Sequence, residues 1–190
     1  MACAPALTRS ELPLLNTSRL YLRQICPTDV DAMFEVASDP EVTAHTTWEV
    51  HRSKHDTQRF VERVLDQQRI GMSAIWAIEE KHTDGKLIGY CGFKVIIEEH
   101  ARAELVFALA KCHWGKGFMT EATKEVLRYG FTRMALNRIE AIVDGENVAT
   151  VRVLKRENMA FEGIMREGVK VRGAYRDAKL YAALKKDFQQ

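Results

Sequence analysis

The sequence lacks most of the features that would assign it to a specialised class of protein. Its four cysteines, Cys3, Cys26, Cys91 and Cys112, are scattered, and none belongs to a C-x-x-C pair. That spacing argues against a zinc site or a disulfide framework and fits reduced thiols in the cytoplasm. The mildly apolar start has no basic segment, and Arg9 and Glu11 interrupt it early, so a signal peptide is not expected. No apolar run approaches the roughly 20 residues needed to span a membrane. A net charge of +2 is too small to argue for a nucleic-acid partner. Repeats, low-complexity stretches and linkers are missing, which leaves one domain. His51 and His55 are spaced to share a helix face, but no further ligand lies nearby in sequence, so no metal is expected.

What is present is ordinary in bulk and informative in its order. A chain of 190 residues, 46% hydrophobic and 28% charged, can bury a sizeable core. Residues 1–13 read as a lead-in and residues 14–190 as the domain. Residues 19–23 alternate polar and apolar like a half-buried strand. Thr28 and Asp31 are spaced as a capping box for a helix that Asp39-Pro40 ends. Residues 41–52 read as a loop, 53–68 as a helix, and 73–80 and 86–97 as strands joined by a turn at Thr83-Asp84-Gly85. Residues 103–110 are mostly apolar and suit a central strand buried on both faces. A helix over 118–134, a strand over 138–143, a helix opened by Glu146 or Asn147, and a closing hairpin turning at 172–174 complete the order. The expectation is a mixed α/β (α+β) domain: one twisted sheet flanked by helices.

Between the central strand and its following helix lies Trp114-Gly115-Lys116-Gly117-Phe118-Met119-Thr120-Glu121-Ala122. Glycines there let backbone N–H groups approach an anion closely, and the helix N-terminus adds unpaired N–H groups and a positive dipole end. A pyrophosphate is the natural guest. The P-loop pattern is absent, and the third glycine of the dinucleotide fingerprint is missing. Coenzyme A is the remaining scheme.

These residues resemble the GNAT acetyltransferase superfamily, and within it the RimJ/RimL-type branch. The loop matches that branch's Trp-Gly-x-Gly-x-Ala-Thr-Glu-Ala pattern, with Met119 where a small residue is usual. Four further segments are similar in the expected order: residues 17–23, 103–105, 137–141 with 146–154, and 173–177 with 180–181. At the end of the last helix Ala160 takes the place of the usual glycine, and Asn158 is the residue suited to stopping the helix, since it tolerates left-handed geometry.

The resemblance implies acetyl transfer from acetyl-CoA to a primary amine. The acceptor is either a protein N-terminal α-amine or a small molecule, and a non-catalytic acyl-CoA-binding module is the alternative. It implies cofactor contacts at Phe107, Ala108 and Leu109 of the central strand, at Trp114, Gly115, Lys116, Gly117, Phe118, Met119 and Thr120 of the loop, and at Asn147 and Arg152. Asn147 also suits a plain helix N-cap, and Arg152 a solvated charge. Amine attack on a thioester needs a proton acceptor and a donor for the oxyanion. Glu104, opening the central strand, is the expected base, and Thr150 and Asn147 stand near the leaving thiolate on the family pattern. Trp48 and Tyr175 are expected to shape the acceptor pocket. Tyr175 and Tyr181 are the tyrosines that could replace an acid missing from 147–157, although both suit hairpin packing. The chain is expected to act as a monomer or a homodimer.

Overall fold

In the computed structural model, which describes residues 11–188, eight strands form one sheet in the order β1-β2-β3-β4-β5-β6-β8-β7. Cys3 and the first ten residues of the expected lead-in lie outside the described residues. The chain runs β1 (Leu15–Asn16), β2 (Leu20–Gln24), α1 (Val30–Ala37), α2 (Lys54–Arg69), β3 (Ala74–Glu80), β4 (Leu87–Ile97) and β5 (Arg102–Leu109). It continues with α3 (Phe118–Thr132), β6 (Arg138–Asp144), α4 (Val148–Arg156), β7 (Ala160–Val171), β8 (Ala174–Leu184) and α5 (Lys185–Phe188). Neighbouring strands are antiparallel except β5 and β6, which are parallel.

Strand alternation divides the core into two layers. Ala74, Trp76 and Ile78 of β3 pack with Ala122, Val126 and Leu127 of α3 and Leu154 of α4. Ile75 and Ala77 pack on the other face with Met33 and Val36 of α1 and Val61 and Val64 of α2. A period of two along the strand sends successive side chains to opposite faces, so a strand covered by helices on both sides reads as continuously apolar. Asn158 closes α4 with a left-handed φ of +55°, as its place in the sequence suggests.

Several local expectations are corrected. The capping box at Thr28 and Asp31 does not form. A short 3-10 turn, Pro27–Asp29, precedes α1, and Asp29 accepts from the Cys26 backbone N–H at 2.8 Å. Asp29 is buried and paired with Arg23 of β2 at 2.6 Å, whereas Asp31 is exposed and meets Lys54. A partner from another strand decides which carboxylate turns inward. His51 lies before α2, so it shares no helix face with His55; its Nδ1 is 2.9 Å from the Thr57 hydroxyl. The two-residue β1 and one-turn α5 are too short to leave a periodic signal. Residues 11–13 of the expected lead-in are docked: the Pro13 carbonyl accepts from the Trp76 indole at 2.9 Å.

Phe93 of β4 is fully buried between the sheet and α3. Phe93→Ala is expected to cost about 3–5 kcal/mol of stability, read as a lower urea midpoint with unchanged slope.

Candidate active site

Parallel pairing between β5 and β6 covers three positions: Arg102 with Arg138, Ala103 with Ile139, and Glu104 with Glu140. Past that point β5 continues to Leu109 along β4, while β6 continues to Asp144 along β8. The sheet forks there, and one edge of β5 loses its neighbour from residue 105 onward. Backbone donors and acceptors on such an edge need another partner. The fork opens a cavity of about 340 Å³ lined by Leu105, Val106 and Phe107 on one arm and residues 141–144 on the other. Phe60 and Val64 of α2 and Trp48 of the preceding loop form an apolar wall. A bulge at Lys94 of β4, where the register shifts between Phe93 and Val95, gives this wall a cation.

The glycine loop lies at the end of β5. Gly115 and Gly117 have φ of +75° and +81°, a region that side-chain-bearing residues enter only with strain. Gly117 is the N-cap of α3. Among the described residues, no backbone N–H from 115 to 120 has a hydrogen-bond partner. The Trp114 indole donates to the Leu109 carbonyl at 2.7 Å and so ties the loop to its strand. Phe118 and Met119 are buried in the core, so they leave only backbone to a ligand. Met119 is absorbed by that packing. Lys116 is exposed and Thr120 is partly buried.

Glu121, in the first turn of α3, holds the loop to the start of β2. Its carboxylate accepts from the Thr17 hydroxyl at 2.6 Å, the Ser18 hydroxyl at 2.9 Å, the Arg19 backbone at 2.8 Å and Arg19 Nε at 2.7 Å. Arg19 Nη1 then donates to the Lys116 carbonyl at 2.9 Å. Burial pushes the Glu121 carboxyl up, but these hydrogen bonds outweigh it and bring its pKa to about 2. The arginine offsets a negative charge that would otherwise oppose an anion at the helix N-terminus.

Of the residues singled out from sequence, Trp48, Phe107, Asn147 and Thr150 line the cavity together. Asn147 is also the N-cap of α4, accepting from the Thr150 N–H at 2.9 Å. Ala108 and Leu109 continue the same strand, and residues 114–120 form the loop at its end. Glu104 is not in the lining: it sits where the strands still pair, bonded to Lys94 at 2.7 Å. Arg152 is exposed on α4. Tyr175 is 66% exposed near the hairpin tip, beside Lys170, and outside the cavity. Tyr181 is buried against Phe161. Cys91 is buried, and burial pushes its thiol up to about 12, so it is no nucleophile.

The structure also brings together residues that sequence reasoning missed. His45 Nδ1 lies 2.7 Å from Asp144 Oδ2, although 99 positions separate them, and both line the cavity. Arg176 Nη1 is 3.2 Å from Asp144 and 2.8 Å from Glu146. Asp144 is buried; desolvation raises its pKa, but the hydrogen bonds from His45 and the Glu146 N–H, with the charge of Arg176, bring it below the usual carboxylate value. Ligand atoms of His45, Asp144 and Glu146 lie within 4.8 Å of one another, and Arg176 already supplies a cation between the two carboxylates. A charged residue ending an alternating strand was the one sequence signal for Asp144; His45 left none.

The signature of the acetyltransferase (GNAT) domain matches residues 19–160, and the chain belongs to that family. It is an acetyltransferase. An N-acetyltransferase named p20 from Bacillus licheniformis, itself uncharacterised, is 35% identical over 174 residues, covering 92% of this chain and 97% of p20. A GNAT-family acetyltransferase from Bacillus anthracis superposes with a TM-score of 0.81 at 25% identity, covering 92% of this chain and 99% of that one. RimJ of Mycobacterium smegmatis, solved in complex with CoA-disulfide, shares the fold with a TM-score of 0.82 at 22% identity, covering 93% and 89% of the two chains.

Gly117→Val is expected to weaken acetyl-CoA binding about tenfold or more in isothermal titration, with the circular dichroism spectrum retained. No atom would crowd the new Cβ closer than 3.5 Å, so the effect acts through the left-handed backbone. Glu121 makes a second test. Its folded pKa is depressed, so its contribution is present above the unfolded value near 4.5 and lost as pH falls toward about 2. Glu121→Gln is expected to flatten the dependence of stability on pH across that window, read from urea midpoints.

Proposed function

We propose that the protein transfers the acetyl group of acetyl-CoA to the α-amine of a peptide or protein N-terminus. The observation that carries the donor half is the conjunction of the fork with the glycine loop at its end. The unpartnered N–H groups of 115–120 at a helix N-terminus suit a pyrophosphate. The edge of β5 past Glu104 has the unpaired backbone that an amide-bearing pantetheine arm needs, and it leads from the loop into the cavity. A side chain at 115 or 117 would strain the cradle, which fits a loop shaped for close approach.

The acceptor half rests on the cavity lining. Its charged groups are Arg63, Lys94, Asp144 and the imidazole of His45. A polyamine needs several carboxylates, and the single one present is already engaged by His45 and Arg176. Trp48, Phe60 and Val64 beside Thr46, Thr47 and Gln67 suit an apolar side chain attached to a peptide backbone. A volume of about 340 Å³ holds an acetylated thiol arm and the first residue or two of such a chain.

Reaction follows from placing the two together. The amine loses a proton, adds to the thioester carbon, and the C–S bond breaks to release the thiol. The fork brings backbone N–H groups near the carbonyl whose oxygen becomes negative.

The test is mass-spectrometric detection of acetylation with acetyl-CoA and three probes: tetrapeptides with free α-amines, N-blocked lysine peptides, and spermidine. Free α-amines are expected to be acetylated with kcat/KM at least about tenfold above the other two. Preference for spermidine or lysine overturns the acceptor, and no transfer to any probe with no acetyl-CoA binding overturns the donor.

A further inference from the structure

We propose that His45 is the group that takes the proton from the acceptor amine, with Asp144 and Arg176 as its positioning residues. This inference rests on the acetyl-transfer reading above.

Four observations on the page lead to it. His45 and Asp144 line the same cavity as Phe107, Asn147 and Thr150. The Nδ1–Oδ2 distance is 2.7 Å, and the Asp144 side chain is 1% exposed while His45 is 34% exposed. Asp144 ends β6, a strand locked between β5 and β8, so its carboxylate stands on a rigid element. Arg176 of β8 reaches the same oxygen at 3.2 Å, which keeps the carboxylate ionised and aligned.

An ionised carboxylate only accepts hydrogen bonds. Nδ1 of His45 must therefore carry the proton of the pair, which leaves Nε2 as the nitrogen that bears the lone pair whenever the ring is neutral. A neutral imidazole in that tautomer, partly exposed in the cavity, is equipped to receive a proton. The glutamate expected from sequence lacks this arrangement: Glu104 is outside the lining and its carboxylate is occupied by Lys94.

The acceptor arrives as R–NH3+ and gives one proton to Nε2 of His45. Its freed lone pair forms the N–C bond to the thioester carbon. As the C–S bond breaks, the electron pair leaves on sulfur, and the surplus proton on the new amide nitrogen passes to that thiolate. The imidazolium, stabilised by Asp144, then releases its proton to solvent. The products are the acetylated amine, the thiol and one proton.

The charged groups around the imidazole are Asp144 from β6, Arg176 from β8 with Glu146 beside it, Arg63 from α2 and Lys94 from β4. A general base acts only in its unprotonated form, which gives kcat/KM an acid limb.

Two measurements test this on the full chain. The first uses whichever probe amine the wild type turns over fastest. His45→Gln is expected to lower kcat about a hundredfold and to remove the acid limb of the kcat/KM profile. Acetyl-CoA Kd and the thermal midpoint should stay near wild type. Asp144→Asn is expected to lower kcat with the acceptor KM little changed, since an amide can present its donor to Nδ1 and stabilise the wrong tautomer. The second needs no acceptor: long-range proton–nitrogen NMR of the imidazole should show the Nδ1–H tautomer in wild type and its loss in Asp144→Asn. An Nε2–H tautomer in wild type overturns the proposal. So does a His45→Gln enzyme with wild-type kcat and acid limb, or an acid limb lost in Glu104→Gln instead. Absence of turnover by the wild type itself overturns the acetyl-transfer reading, an outcome distinct from these.

Discussion

Three residue pairs join β5 to β6, and the separation of the strands beyond Glu104 and Glu140 governs everything built around it. Each arm is held by its outer neighbour, β5 by the long antiparallel ladder with β4 and β6 by the ladder with β8. The arms are therefore rigid although the space between them is open. Hydrogen bonds that a continuous sheet would make are forgone along residues 105–109. A protein bears that cost where the exposed backbone serves a ligand. The cavity, the cradle at its end and the polar groups at its mouth all take their positions from this geometry.

Two carboxylates, Asp144 buried and Glu121 partly so, then fasten distant segments of the chain to these arms. Glu121 binds the start of β2 to the first turn of α3 and, through Arg19, steadies the carbonyl of Lys116 in the glycine loop. Asp144 binds the loop after α1 to the end of β6 and the start of β8. Both are held ionised against the cost of burial by donors from distant segments. In low dielectric, an anion supplied with several donors is a strong positional restraint. One anchor shapes the donor half of the site and the other the acceptor half. The same pattern recurs at Asp29, where Arg23 of β2 pulls a carboxylate inward that capping rules alone would assign to its neighbour.

What the sequence determined by itself was local. Alternation marked β2 and β6, helical spacing marked α2 and α3, and apolar continuity put β5 at the centre, because burial on one or two faces writes its period directly into the chain. Gly115 and Gly117 announced a left-handed loop, and Asn147 a helix start, for the same reason: few residues suit those backbone states. Those features were sufficient to place the loop, while coenzyme A as its guest came from the resemblance to the family. Tertiary structure alone decided that β5 and β6 part after three pairs, that Glu104 pairs with Lys94, and that His45 meets Asp144 across 99 residues. None of these leaves a periodic trace, because each depends on how far two strands diverge and which side chains of distant segments the divergence brings within hydrogen-bonding distance.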